Sequence, residues 1–255
     1  MRKKSRTASH WRFTQETNSR RIVLFPGVQS IRRVSILASS SSGNCTFLAS
    51  GRTRLLIDAG LSRRELEKRL TAIGESASQL DAILVTHEQT YQPRLEIFQA
   101  GDSFVVGDIE IDSFTVPHDA IDPVGYCCRS GGVKVSLVTD LGYVPESVKF
   151  HVRGSDMLVL ESNHDIEMLK VGPYPWSVKQ RVMSRRGHLS NEIASRFIRD
   201  DLDTRTSTIV LGHLSAHNNH PELVRMSALE ALNGRAVFTS LHVMEPGTPS
   251  QMFKF

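Results

Sequence analysis

Four residues of the kinds that bind metal ions share one position in this sequence, just beyond a predicted β-strand. They are His87, His118, Asp140 and His213. Imidazole nitrogens together with a carboxylate are the donors that Zn²⁺ favours, and the ends of strands hold ligands rigidly. The pattern therefore predicts a metal centre at one edge of a sheet.

The strands that must position these residues are visible as β-rich or apolar runs. Residues 82–85 form a continuous apolar run, which predicts a strand buried on both faces that leads to Thr86 and His87. Hairpins over residues 103–116 and 125–139 lead to His118 and Asp140, and a strand at 208–211 leads to His213. Ligands gather at such carboxyl edges in open α/β sheets.

Helices and further strands complete the prediction. A capping-box pattern from Ser62 to Glu65 begins a helix that ends near Gly74. Further helices are predicted over 175–184, 190–202 and 221–232, and further strands over 34–38, 46–49, 54–57, 157–160 and 236–241. Two β-rich halves with helices outside them predict a layered α/β sandwich.

The composition is that of a soluble globular protein. The chain has 255 residues, of which 40% are hydrophobic and 23% are charged. No apolar run approaches the ~18 residues that span a bilayer. We therefore expect one soluble domain with no membrane partner; the sequence does not predict an oligomeric state.

The net charge of +4 is unevenly distributed. Residues 1–33 contain nine Lys or Arg and one acidic residue, whereas the remainder of the chain is acidic by four charges. We expect residues 1–32 to be a basic, disordered extension and residues 33–255 to form the domain. The extension could bind nucleic-acid phosphates, be a disordered leader or be an organelle transit peptide.

The three cysteines predict neither a disulfide nor a metal site. Cys127 and Cys128 are adjacent, so on a strand they would point to opposite faces, and Cys45 has no obvious partner. We interpret all three as core residues of a protein from the reducing cytoplasm.

Several stretches carry a resemblance to a known family. They are residues 40–44, 123–126, 138–143, 161–165 (Glu-Ser-Asn-His-Asp), 172–176 (Gly-Pro-Tyr-Pro-Trp) and 186–192. Together with Asp58, His87, His118, Asp140 and His213, they follow the motif order of the metallo-β-lactamase superfamily. Over residues 33–232 the chain resembles the YycJ/WalJ branch of bacterial proteins.

This resemblance implies a four-layer αββα sandwich that hydrolyses phosphodiesters in DNA with two Zn or Mn ions. By resemblance, His87 and His118 would bind the first ion, His213 the second, and Asp140 would bridge them and be catalytic. Asp58 and Asn163 would orient ligands. His164 and His188 would contact substrate or transfer protons; alternatively, both are loop histidines bonded to backbone.

The chain departs from the family at its principal metal motif. The family pattern His-x-His-x-Asp-His reads here as His-Glu-Gln-Thr-Tyr-Gln over residues 87–92, so three of four donors are replaced. We expect at most one tightly bound ion, held by His87, His118 and Asp140, because the second position keeps only Asp140 and His213.

Compared with the family, the chain also lacks several dozen residues between this motif and the hairpin that leads to His118. We therefore expect the first half of the sandwich to be truncated and to expose apolar surface. Two functions remain open: a metal-dependent phosphodiesterase with impaired activity, or a catalytically inactive protein that binds nucleic acid on the same scaffold. A poorly folding product of a decaying gene is a third possibility.

Overall fold

Two β-sheets form the centre of the molecule. The computed structural model describes residues 30–40, 43–87, 97–233 and 238–255. The first sheet has the order β12-β1-β2-β3-β4, with β1 (Arg33–Ser40), β2 (Gly43–Ala49), β3 (Arg54–Ile57), β4 (Ala82–Leu84) and β12 (Phe253–Lys254). The second has the order β11-β10-β9-β8-β7-β6-β5, with β5 (Ser103–Val106), β6 (Ile109–Thr115), β7 (Val124–Ser130), β8 (Val133–Val138), β9 (Met157–Glu161), β10 (Thr208–Gly212) and β11 (Ser240–Val243).

Helices cover the outer faces of both sheets. They are α1 (Arg63–Ala72), α2 (Glu146–Val152), α3 (Ile166–Val171), α4 (Trp176–Val182), α5 (Asn191–Asp200) and α6 (Pro221–Leu232), with a short 3-10 turn at Ala77–Gln79. Ser62 is the N-cap of α1, and its side chain accepts a hydrogen bond from Glu65 N; the Glu65 carboxylate pairs with Arg69. No helix within the described ranges is long and apolar enough to cross a bilayer.

Three buried apolar clusters show how the layers pack. One cluster lies between the sheets and includes Ile36 and Leu55 from the first sheet and Val159 from the second. A second cluster packs β8, β9 and β10 against α2, α5 and α6, and a third packs the outer face of the first sheet against α1. The layers are therefore helix, sheet, sheet and helix, which confirms the predicted αββα sandwich.

The cysteines follow the alternation expected of a strand. Cys127 belongs to the cluster under the helices, and Cys128 belongs to the cluster between the sheets. Both are buried and unpaired, as is Cys45. The prediction that all three are core residues is confirmed.

The prediction for β4 was wrong on one point. Leu84 faces the core between the sheets, but Ile83 on the other face is 45% exposed. β4 is the edge strand of its sheet, and α1 is the α-helix whose buried residue packs in the cluster on the outer face of that sheet. An exposed isoleucine here agrees with the expectation of a shortened covering layer.

Other element predictions needed smaller corrections. Helices α2 and α3 were not predicted, and the last strand of the second sheet begins at Ser240 rather than at residue 236. Residues 30–32 pack against the sandwich: Ile31 is fully buried, and its backbone N donates to Ser130 O. Residues 1–29, which hold most of the basic extension, lie outside the described residues.

Two backbone segments touch directly at the edge where the sheets meet. A Cβ on Gly43 would lie 2.1 Å from Gly60 O, and Gly60 N donates to Asn44 O at 2.9 Å. Nearby, Ser40 forms a parallel bridge with Leu214, which joins the first sheet to the chain after β10. This contact fixes the loop ends that carry the polar residues described below.

We expect Gly43→Ala to lower the free energy of unfolding by about 1–3 kcal/mol, because the added methyl group meets backbone that cannot move aside. Gly132→Ala is the matched control: it also requires positive φ, at 85°, but no atom lies within 4 Å of the new Cβ. Urea unfolding of both variants measures the difference. Equal losses would show that the contact with Gly60 is not a constraint.

Candidate metal centre

Three residues of the predicted site have an unusual backbone conformation. Asp58, Asp140 and His213 have φ values of 59°, 60° and 57°, and each lies just beyond a strand. Among described residues other than glycine, only Asp122 shares a positive φ. Such conformations cost free energy and persist where the surrounding structure enforces them, which is often at functional sites.

These residues line one cleft with a volume of about 230 Å³. The lining residues are Ser40, Gly43, Asn44, Asp58, His87, His118, Asp140, His188 and His213. The fold thus brings six of the eight predicted site residues to one cavity. Asn163 and His164 do not line it.

One carboxylate oxygen is central to the cleft. Asp140 Oδ1 lies 3.4 Å from His213 Nδ1, 3.9 Å from His188 Nδ1 and 4.0 Å from His118 Nε2. Asn44 Nδ2 donates to the other oxygen, Oδ2, at 3.4 Å. Three imidazoles therefore approach Asp140.

A second carboxylate, which the sequence analysis did not predict, completes the group. Glu161 is fully buried, and its Oε1 lies 2.7 Å from His188 Nδ1 and 3.8 Å from His213 Nδ1. Each of Asp140, Glu161, His188 and His213 offers a ligand atom, and these atoms all lie within 4.8 Å of one another. We call these four residues the metal group. Among the described residues they form a set that can hold a metal ion.

The strand order places Glu161 in the metal group. It is the last residue of β9, which lies between β8 and β10, the strands that carry Asp140 and His213. The carboxyl ends of parallel neighbouring strands meet at one sheet edge. Its Oε2 accepts hydrogen bonds from Leu141 N at 3.0 Å and Leu189 N at 3.3 Å, which fix the carboxylate.

The charges of the metal group balance one another. Burial opposes the ionisation of Asp140, yet the imidazoles of His213, His188 and His118 hold its pKa well below the ordinary value. Burial also disfavours imidazolium, yet Asp140 and Glu161 raise the pKa of His213 to about 9. The pKa of His188 is raised against its own burial, chiefly by Glu161. Asp140 and the imidazoles of His188 and His213 therefore stabilise each other's charged forms.

Further hydrogen bonds orient the residues around this group. His118 Nδ1 donates to Gly187 O at 3.1 Å, and its Nε2 lies 3.5 Å from Asp119 Oδ1 and 4.0 Å from Asp140 Oδ1. Asn163 Nδ2 donates to His213 O at 2.8 Å and so holds the backbone after β10. A metal-binding histidine is commonly held by such a bond from its second nitrogen.

His87 lies on the far side of His118. Their ring centroids are 6.3 Å apart, and His87 is not one of the four residues of the metal group. Asp58 accepts hydrogen bonds from Thr86 N and Thr86 Oγ1, and Thr86 Oγ1 contacts His87 Nδ1 at 2.9 Å. Asp58 thus acts on His87 through Thr86. The altered motif at residues 88–92 lies outside the described residues.

His164 has a different environment from the other histidines. It is only 2% exposed, and burial lowers its pKa to about 4. Its Nδ1 has no hydrogen-bond partner within the described residues. A residue buried outside the cleft is not in contact with substrate, so this placement gives no support to the predicted catalytic role.

Comparison with known proteins agrees with this geometry. Residues 40–88 match the family described as "Metallo-beta-lactamase superfamily", and residues 91–213 match the "Beta-lactamase superfamily domain". "Exodeoxyribonuclease YycJ" of Bacillus anthracis is 34% identical over 256 residues, which cover 86% of this chain and 97% of the relative. "Exodeoxyribonuclease WalJ" of Streptococcus pneumoniae is 36% identical, over 78% of this chain and 88% of the relative.

The chain belongs to the YycJ/WalJ branch of the metallo-β-lactamase superfamily. Among solved structures, metallo-β-lactamase fold protein YhfI from Bacillus subtilis superposes with a TM-score of 0.65 at 16% identity, covering 87% of this chain and 99% of that one. Zn²⁺-bound PqqB from Methylobacterium extorquens gives 0.62 at 16% identity, covering 86% and 99%. At these identities the structures show the shared metallo-β-lactamase fold.

The metal group fits a divalent cation. Ligand atoms ~2.05 Å from a tetrahedral ion lie about 3.4 Å apart, and those of an octahedral ion about 2.9 Å. The separation of Asp140 Oδ1 from His213 Nδ1, 3.4 Å, is in this range, and the separations of 3.8 and 3.9 Å given above need only small shifts. In the metal group, Asp140 and His213, the two donors that the sequence left at the second position, are joined by Glu161 and His188.

We expect Glu161→Gln to weaken divalent-metal binding by about 10- to 100-fold, because the amide keeps the shape of the side chain but removes the charge that faces His188. Glu110→Gln, at an exposed glutamate of β6, is the control. Titration of metal-free protein, with thermal unfolding to check the fold, measures the effect. Unchanged affinity in Glu161→Gln would exclude Glu161 from the metal group.

Metal binding should also release protons. His213 is protonated below its folded pKa of about 9 and must lose that proton before Nδ1 can bind an ion. The apparent affinity is therefore expected to rise with pH and to level off above pH 9. Calorimetric titrations in buffers of different ionisation enthalpy count the released protons. An affinity that does not change between pH 7 and 9 would contradict the expected protonation state.

Proposed function

We propose that this protein is a metal-dependent phosphodiesterase that acts on DNA, with one divalent cation bound by Asp140, Glu161, His188 and His213. The observation that carries the proposal is the convergence of these four side chains within 4.8 Å beside a cleft. The sequence-based hypothesis assigned this ion to Asp140 together with His87 and His118. The described donors favour Glu161, His188 and His213 as the partners of Asp140.

DNA as the substrate is supported by the relatives. Both are named as exodeoxyribonucleases, and this chain covers 97% and 88% of their lengths. Both come from bacteria, and the three unpaired cysteines suit a reducing compartment. We therefore propose nucleic-acid cleavage in a bacterial cytoplasm.

The number of donors favours Mn²⁺ over Zn²⁺. Four protein ligands complete the usual tetrahedral shell of Zn²⁺, whereas a six-coordinate ion keeps two positions for water and a phosphoryl oxygen. Two carboxylates with two imidazoles also form a harder donor set than the thiolate and imidazole ligands of many zinc sites. Of the two metals expected by resemblance, Mn²⁺ thus leaves room for the reaction.

A divalent cation at such a site polarises a phosphoryl oxygen and lowers the pKa of a coordinated water. The protein supplies the remaining steps. Asp140 and Glu161 provide the negative charge that attracts the cation, and backbone N–H groups hold Glu161 in place. His118, whose Nδ1 donates to Gly187 O, lines the cleft and would take the proton of the attacking water.

In the test, wild-type protein is expected to contain about one ion per chain and to hydrolyse DNA slowly. Chelator should abolish the activity, and Asp140→Ala should lower it at least 100-fold, because the central carboxylate is lost. Metal analysis and a nuclease assay on single- and double-stranded DNA measure both properties. Equal activity of wild type and Asp140→Ala, or activity that survives chelation, would overturn the proposal.

A second candidate is a catalytically inactive nucleic-acid-binding protein, which is favoured by the replacement of three motif donors at positions 89, 91 and 92. It predicts DNA binding that depends on salt and on the basic extension but not on metal. Replacement of Arg2, Lys3, Lys4 and Arg6 by alanine should then weaken binding. Metal content near zero in purified protein that binds DNA would exclude the first candidate.

A further inference from the structure

A loop beside the metal group carries two arginines that no described carboxylate neutralises. It runs from Ser184 to Gly187, between α4 and His188. The guanidinium groups of Arg185 and Arg186 form no ion pair with any described acidic residue, and both residues are exposed. The neighbouring Arg181, in contrast, is paired with Asp119. Two free cations thus lie next to the cleft.

The loop is fixed to the site rather than free in solvent. A Cβ on Gly142 would lie 2.4 Å from both Arg185 C and Ser184 O, so the loop backbone packs against the chain two residues after Asp140. Glycine at this position permits the close approach. The backbone of the arginine loop is therefore positioned by the same segment that positions Asp140.

Two hydrogen bonds join the arginine loop to His118. Arg186 Nε donates to His118 O at 3.3 Å, while His118 Nδ1 donates to Gly187 O at 3.1 Å. The first bond uses one of the five N–H groups of the guanidinium. Its terminal N–H groups remain available next to a residue that lines the cleft.

Arg185 is held by an aromatic ring. Its Cζ lies 4.3 Å from the centroid of Tyr143, which follows Gly142. A guanidinium stacked on a ring keeps its edge free for hydrogen bonds and loses less freedom on binding a phosphate. Planar guanidinium groups bind phosphate oxygens through two parallel hydrogen bonds.

We propose that Arg185 and Arg186 form a binding site for the nucleic-acid backbone, which holds the phosphodiester adjacent to the one at the metal group. This inference rests on the proposed function and deepens it. The ligand is a polynucleotide chain recognised through its phosphates and not its bases. Because the arginines act without the cation, this site binds DNA in metal-free protein.

The test uses full-length protein in chelator and a short, fluorescently labelled, single-stranded oligothymidylate. Arg185→Ala and Arg186→Ala should each weaken binding about tenfold and reduce the slope of log affinity against log salt by about 0.7, the value for one phosphate contact. Arg199→Ala, at an exposed arginine of α5 paired with Asp200, is the matched control and should change neither quantity. Arg186→Lys keeps the charge and should retain the slope.

The outcomes separate this inference from the proposed function. If both alanine variants bind like Arg199→Ala, the inference is overturned, even if wild-type protein hydrolyses DNA with Mn²⁺. If Arg186→Ala alters metal affinity but not DNA binding, the loop only supports His118, and the inference is again overturned. Lost binding in both alanine variants, with no hydrolysis by wild type, would support the arginine site and reject the phosphodiesterase.

Discussion

The attraction between buried carboxylates and nearby imidazoles is the interaction on which this site depends. Asp140 and Glu161 are 5% and 0% exposed, and two unpaired charges so far from water would cost several kcal/mol each. The imidazoles of His188 and His213 offset part of that cost, and the carboxylates raise the pKa of both. The site therefore favours positive charge, which a divalent cation also supplies.

This arrangement is enforced by backbone conformations that the rest of the fold maintains. Asp58, Asp140 and His213 adopt positive φ just beyond their strands, each at a cost of about 1–3 kcal/mol. Hydrogen bonds from neighbouring segments stabilise the turns: Asn163 Nδ2 donates to His213 O, and His213 N donates to Ser39 Oγ. The packing of the apolar clusters in the two sheets thus offsets the free-energy cost of these backbone conformations.

Sequence patterns predicted the sandwich and the strand ends that carry His118, Asp140 and His213, because apolar runs and turn residues report on local structure. They did not predict Glu161, since a buried acidic residue closing an apolar strand has no local signal; only the strand order places it beside Asp140. For the same reason, counting donors along the altered motif did not include Glu161. The exposure of Ile83 likewise depends on which elements pack on β4, and the sequence of β4 itself does not specify them.

The family resemblance and the metal group both indicate a divalent cation bound by Asp140, but they differ in its other ligands. The resemblance assigned His87 and His118, whereas the metal group contains Glu161, His188 and His213. Anomalous diffraction from crystals of the full chain grown with Mn²⁺ measures the position of the cation directly. The account predicts one peak per chain, within bonding distance of Asp140 and His213 and on the side of Glu161. A peak between His87 and His118 that does not contact His213, or two peaks per chain, would contradict it.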